Sequence, residues 1–507
     1  MRDGRDKCDP PENGRAILSR RSLLELAGLA VVTAALPLEA VMAKLSRTRD
    51  PTGQGVSPVM DKLSTYLGEA IGRALPDEVS EKTKQHILDT LAAMISGSEL
   101  TPGRAALQFA GAYGGKEVAT VVASKIVCGP IEAALTNGML AHADETDDSH
   151  APSQSHPGCA VVPAALAAGE QFGISGTHFL RAVTLGYDVG PRFTMTLGGQ
   201  QFEAESHWST HSISPLFGAA AAAGCAASLN SAQMRFLLGY TAHQSSGLGA
   251  WNRDTEHIQK AFHFGGMTAR SGVTSALIVQ AGWTGVEDIF SGKDNFFDAY
   301  NPHADPAGLI DKLGERYEIT RTNIKRWSVG SPIQAALDAL EILQKEHPFI
   351  AKEVEQVSVR LARDEAAIVN NREIPDICLQ HMVAVMMIDK KVTFSSAHDK
   401  ARMQDPATLR ERGKVKLIPD EQLERLMPLR VAIVEVKLTN GTHLTQRVDS
   451  VRGTPQNPMT REEIVAKARD LIAPILGTPQ CANLIERVLN LDGVKDIREL
   501  RPLLQRA

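Results

Sequence analysis

A chain of 507 residues with 43% hydrophobic and 22% charged residues can fill a large core, which excludes wholesale disorder. Its formal charge of -5 carries no basic excess and argues against a nucleic-acid partner. Six scattered cysteines without a C-x-x-C pair suggest neither a zinc ribbon, an iron–sulfur site nor a disulfide framework.

The chain opens on a polar stretch. Arg20-Arg21 then precedes an apolar run to Leu38, closing in Val41-Met42-Ala43. Twin arginines, small residues at a cleavage position and a run short of the ~20 residues that span a bilayer predict a twin-arginine-type export signal over 1–43. The mature protein would be periplasmic, without a stable membrane anchor, or cytoplasmic if the signal is silent. A polar linker with Pro51, Gly53 and Gly55 covers 44–58.

From Met60 the pattern turns helical. Ile87, Leu88, Leu91, Met94 and Ile95 recur at three- and four-residue spacing. Helices are predicted over 105–112, 131–143, 161–172, 178–189, 234–246 and 261–280. The segment from Phe217 to Leu229 is almost all small residues, so it belongs at the centre of a bundle. The character changes after Asn301. Alternation over Val357–Leu361, a helix over Asp376–Ile388, and strands Val431–Leu438 and His443–Val448 around Asn440-Gly441 predict a smaller α/β domain over 306–455. Thr460 and Glu463 form a capping-box pattern, and the helices of 456–507 should return to the helical part, 59–305. The fold class is mainly α.

The densest polar cluster runs from His142 through Asp144, Glu145, Asp147, Asp148 and Ser149 to His150 and closes with His156-Pro157-Gly158. Flanking apolar helices hold it against a core, where carboxylates and imidazoles suit proton transfer or metal binding. Asp144-x-x-Asp147-Asp148 also has the spacing with which all-helical isoprenoid synthases hold Mg²⁺, but no second metal motif accompanies it. A second knot, His207 to Ser212, leads into the alanine-rich helix, with His207 and His211 competing for one place in a site. A third contains His257 and Lys260 ahead of Gly265-Gly266. There the glycines would let the backbone approach a ligand, and Lys260 reads as an anion clamp. No dinucleotide fingerprint, Walker loop, H-E-x-x-H or G-x-S-x-G elbow is present.

Asn137-Gly138-x-x-Ala141-His142-x-x-Glu145-x-Asp147-Asp148-Ser149-His150, with His156-Pro157-Gly158, resembles the signature of the MmgE/PrpD family. The resemblance continues through Gly186-Tyr187-Asp188-Val189, Lys260-Ala261-Phe262-His263 and Arg452-Gly453-Thr454-Pro455. It implies a large all-helical domain with a smaller α/β lid, a site between them, a homodimer, and neither metal nor organic cofactor. It also implies acid–base chemistry on small di- or tricarboxylates: dehydration first, with decarboxylation, epimerisation or carboxylate binding without turnover as alternatives. By position, His156 would be the base, Asp147 or Glu145 would orient it, and Ser149 would hydrogen-bond a substrate oxygen. Lys260 and the lid lysine, Lys325, would clamp carboxylates, and His207 or His211 would complete the substrate side. Ser328-Val329-Gly330-Ser331 replaces the family's usual lid segment, Lys-x-x-Pro-x-Cys.

Overall fold

The computed structural model describes residues 55–506. The export signal expected over 1–43 and the linker up to residue 54 lie outside the described residues. Among those described, no helix is long and apolar enough to cross a membrane.

Thr210–Ala226 is the central helix, and every residue in it except His211 is buried. It packs against Gly158–Phe172, Gly176–Leu197 and Met267–Gln280. Its alanines and glycines keep the backbones close, and one large ring, Phe217, stacks on Phe193 at 3.6 Å. The period predicted a helix stopping at Val189, yet it runs through Pro191 to Leu197. A proline inside a helix costs roughly 3 kcal/mol. Full burial of Phe193 and Leu197 returns about 1.5–3 kcal/mol each, so packing decides the length.

The smaller part carries a four-stranded sheet in the order Val415–Asp420, Val354–Ala362, Ala432–Leu438, His443–Val448. The first pair is parallel and the other two are antiparallel. The hairpin turns at Asn440-Gly441, with Gly441 at φ 86°. The helices Ser331–Glu346 and Leu379–Asp389 pack together beside it.

Two large hydrophobic cores result. One takes residues from Met60 to Ile324 and again from Met459 to Leu504; the other runs from Trp327 to Val451. The change of character after Asn301 is therefore not the change of core. Leu309, Tyr317, Ile319 and Ile324 are buried in the helical core, although their segment is irregular. Both crossings, near residues 325 and 455, lie side by side: Ile324 N–H donates to the Gly453 carbonyl at 3.1 Å.

Candidate active site

The acidic turn follows the helix Pro130–Ala141 and is buried throughout. Burying four carboxylates is costly unless each has partners, and each has its own set. Asp148 accepts from the Gly158 amide at 3.0 Å and from Tyr187 at 2.5 Å, and its Oδ2 lies 2.8 Å from His86 Nδ1. Asp144 takes the Thr146 amide and faces His398. Asp147 is shared by two imidazoles, His142 at 3.0 Å and His156 at 3.1 Å, both through Nδ1. Glu145 receives Lys260, and Lys325 stands 3.4 Å from its second oxygen. Lys467, on the returning helix Arg461–Leu476, ties the turn down by donating to the Thr146 carbonyl at 2.9 Å and pairing with Asp89 at 2.6 Å. The Asp144, Asp147 and Asp148 side chains diverge to different partners, which removes the magnesium reading of their spacing.

These bonds set the charge states. Burial alone would raise the Glu145 carboxyl, but Lys260 and Lys325 outweigh it and hold it well below the usual range. Burial opposes ionisation of Asp147 too, and there the neighbouring imidazoles prevail and keep it anionic. Burial presses His156 down to about 4 against the pull of Asp147, so its ring is neutral near pH 7. With Nδ1–H given to Asp147, the Nε2 lone pair is the one left for the cleft.

The cleft has a volume of about 130 Å³ and brings together Glu145, His156, His211, His257, Lys260 and Phe264 from the helical part. Gly330, Ser331, Ile368, Arg372 and Arg430 close it from the sheet-bearing part. A neighbouring cavity of about 270 Å³ is lined by Ser149, Lys325, Arg321 and Arg452, and shares Ser331 and Arg430 with the cleft. The candidate residues thus divide: His156, Glu145, Lys260 and His211 face the cleft, Asp147 is sealed behind His156, and Ser149 and Lys325 face the second cavity. Ser149 is held there by backbone pairing with Asn323.

Three expectations need correction. His207 does not reach the cleft: it ends the helix Gly199–Ser206 in a left-handed turn at φ 64°, and its ring is exposed. His211, the second residue of the central helix, lines the cleft instead. Lys325 is not carried out on a lid. It is buried at the junction of the two cores and donates to the Glu145 carbonyl at 2.9 Å. Gly265 and Gly266 accommodate a helix rather than a ligand: a Cβ on Gly265 would strike the Gly138 carbonyl. That contact lies within a π-helical turn, Phe262–Gly266, which projects Phe264 among the imidazoles.

Two family models match this chain: the MmgE/PrpD N-terminal domain over residues 61–308 and the MmgE/PrpD C-terminal domain over 327–492. The chain belongs to the MmgE/PrpD family. The break between the two models falls where the cores change over. Similar MmgE/PrpD relatives include the cis-aconitate decarboxylase-like protein oryM of Aspergillus oryzae, 23% identical across 90% of this chain and 98% of that protein. The cis-aconitate decarboxylase of Aspergillus terreus is 23% identical across 85% and 92%, and that of Homo sapiens 25% identical across 85% and 91%.

Several residues of this MmgE/PrpD site escape sequence reasoning. Phe264 stacks on His142 and on His211, each at 4.5 Å, and Trp251 meets it edge-on at 4.8 Å. Lys260 lies 5.1 Å from the Trp251 ring and 5.2 Å from Phe264, so its ammonium rests on an aromatic floor. The His142 and His257 Nε2 atoms are buried without partners. Each belongs to a set that brings ligand atoms within 4.8 Å: His142, Glu145 and His257, or His142, Asp147 and Cys159. Neither set suits a metal cation. Glu145 already carries two ammonium groups, and burial pushes the Cys159 thiol up, away from thiolate. The residues fit an anionic ligand better.

Proposed function

We propose that this MmgE/PrpD protein is a cofactor-independent lyase that forms a carbanion next to a carboxylate of a small polycarboxylate. The observation that carries the reading is the buried Asp147–His156 pair, with a neutral imidazole turned to a small cleft beside Lys260. Asp147 fixes the tautomer, and the His156 Nε2 lone pair takes the proton from carbon. The electron pair left on carbon spreads into the adjacent carboxylate. Lys260, exchanging Glu145 for substrate, offsets that charge. A neutral base suits elimination of water from a β-hydroxy carboxylate: the pair on carbon forms the C=C bond as the β C–O bond breaks, and the proton held by His156 leaves with the departing hydroxide as water. Decarboxylation is the second reading, favoured by relatives named cis-aconitate decarboxylases that span 85–90% of the chain.

Incubation with cis-aconitate and with hydroxy-tricarboxylates, followed by proton NMR and by CO₂ release, tests the reading. Loss of water or of CO₂ in the purified protein supports it, and neither product from any of them contradicts it. Export through the Arg20-Arg21 signal and assembly as a homodimer are further proposals, checked by cell fractionation and by sedimentation.

A further inference from the structure

Both lysines expected to bind substrate are engaged by Glu145. The cation that is not engaged comes from the opposite wall. That wall is largely apolar, with Ile368, Val369, Ile374 and Ile377, and carries two charges. Arg430 is paired with the buried Glu365. Arg372 is different: among the described residues its guanidinium has one hydrogen bond, a long 3.4 Å contact to the Asn252 carbonyl of the helical part, and no ion pair.

Arg372 is also built into place. It follows the helix Arg363–Val369 through a turn in which Asn371 is left-handed at φ 46°. Gln380 pins that turn from both sides: its Oε1 accepts from the Asn371 amide at 2.9 Å and its Nε2 donates to Asn370 Oδ1 at 2.7 Å. Gln380 itself is buried in the helix Leu379–Asp389. A pinned turn that presents an unpaired, half-buried guanidinium to an anion-suited cleft fits recognition of a carboxylate, which arginine binds in bidentate fashion.

We propose that Arg372 reads the substrate carboxylate farthest from His156 and so selects tricarboxylates over dicarboxylates. This rests on the polycarboxylate reading above. Within the cleft, Lys260 serves the carboxylate beside His156 once Glu145 releases it, and Arg372 serves the one that a tricarboxylate carries beyond it. The carboxylate replaces the weak Asn252 contact and joins the two walls.

Calorimetry on the full chain tests this with two unreactive probes, tricarballylate and glutarate. Arg372→Gln keeps an amide donor for the Asn252 carbonyl but removes the charge; Arg372→Lys keeps the charge. The wild type should prefer tricarballylate. Arg372→Gln should weaken tricarballylate about 10- to 100-fold and leave glutarate unchanged, while Arg372→Lys restores part of the loss. An unchanged preference in Arg372→Gln, or an equal loss for both probes, overturns the assignment and leaves the function standing. A wild type that binds neither probe overturns both.

Discussion

His156 has one nitrogen on an anionic partner and the other toward a cleft, and burial lets its ring take up a proton only near pH 4. The acid limb of kcat/KM should therefore sit near 4, well below the 6.5 of a free imidazole. A pH–rate profile with its limb at 6.5 would contradict this. The same shift affects folding. A histidine with a depressed folded-state pKa stabilises the native state fully above 6.5, and that contribution is lost as pH falls through about 4. Asp147→Asn removes the anion that fixes the tautomer, so turnover should fall by roughly 10²–10⁴ with little change in KM, measured by steady-state kinetics. The sequence pattern singled out His156, Glu145, Asp147 and Lys260, which lie on or beside recognisable turns, and the fold brings three of them to one cleft with Asp147 behind His156. The pattern does not separate His207 from His211: they stand four residues apart at the start of one helix, and only the left-handed turn at His207 turns it outward.

At the scale of elements, the π-helical turn Phe262–Gly266 packs backbone to backbone on Pro130–Ala141. Gly265→Ala should cost about 1–3 kcal/mol through overpacking, read as a lower Tm, and should weaken anion binding by displacing Phe264 under Lys260. A second link lies at the seam of the cores. The short helix Phe394–Ala397 rests Phe394 on one core and Ala397 in the other, and His398 follows it. Its Nε2 stands 2.9 Å from Asp144 and 3.9 Å from Asp376, outside good hydrogen-bond alignment. Glu99, Glu256, His257 and Lys400 line the same small cavity. Burial disfavours the His398 cation, but Asp144 outweighs it and raises the pKa to about 9. A raised histidine stabilises fully below 6.5 and loses its contribution as pH rises through about 9. Urea melts across that window should steepen their fall in the wild type relative to His398→Gln; parallel curves would exclude the link. Strong local signals made elements legible, such as Asn440-Gly441 for the hairpin. The strand Val415–Asp420 gave none: it is an edge strand with exposed Lys416, Ile418 and Pro419, whose pairing is set by its neighbour Val354–Ala362.

For the whole molecule, the fold class was legible because helical periods dominate, and the family signature because its residues cluster within one turn. What stayed hidden is long-range. Lys467 on the acidic turn, Arg372 across the cleft and the 306–324 segment in the helical core all depend on how distant stretches meet. Two cores joined by adjacent crossings make one cleft from both parts, and carbanion chemistry there is the central claim. The most direct test is proton NMR in D₂O of wild type and His156→Asn with cis-aconitate and hydroxy-tricarboxylate ligands. The wild type should incorporate deuterium at a carbon beside a carboxyl group, and His156→Asn, which retains a donor for Asp147, should lose that exchange by roughly 10²–10⁴-fold. Exchange that persists unchanged in His156→Asn would contradict the account.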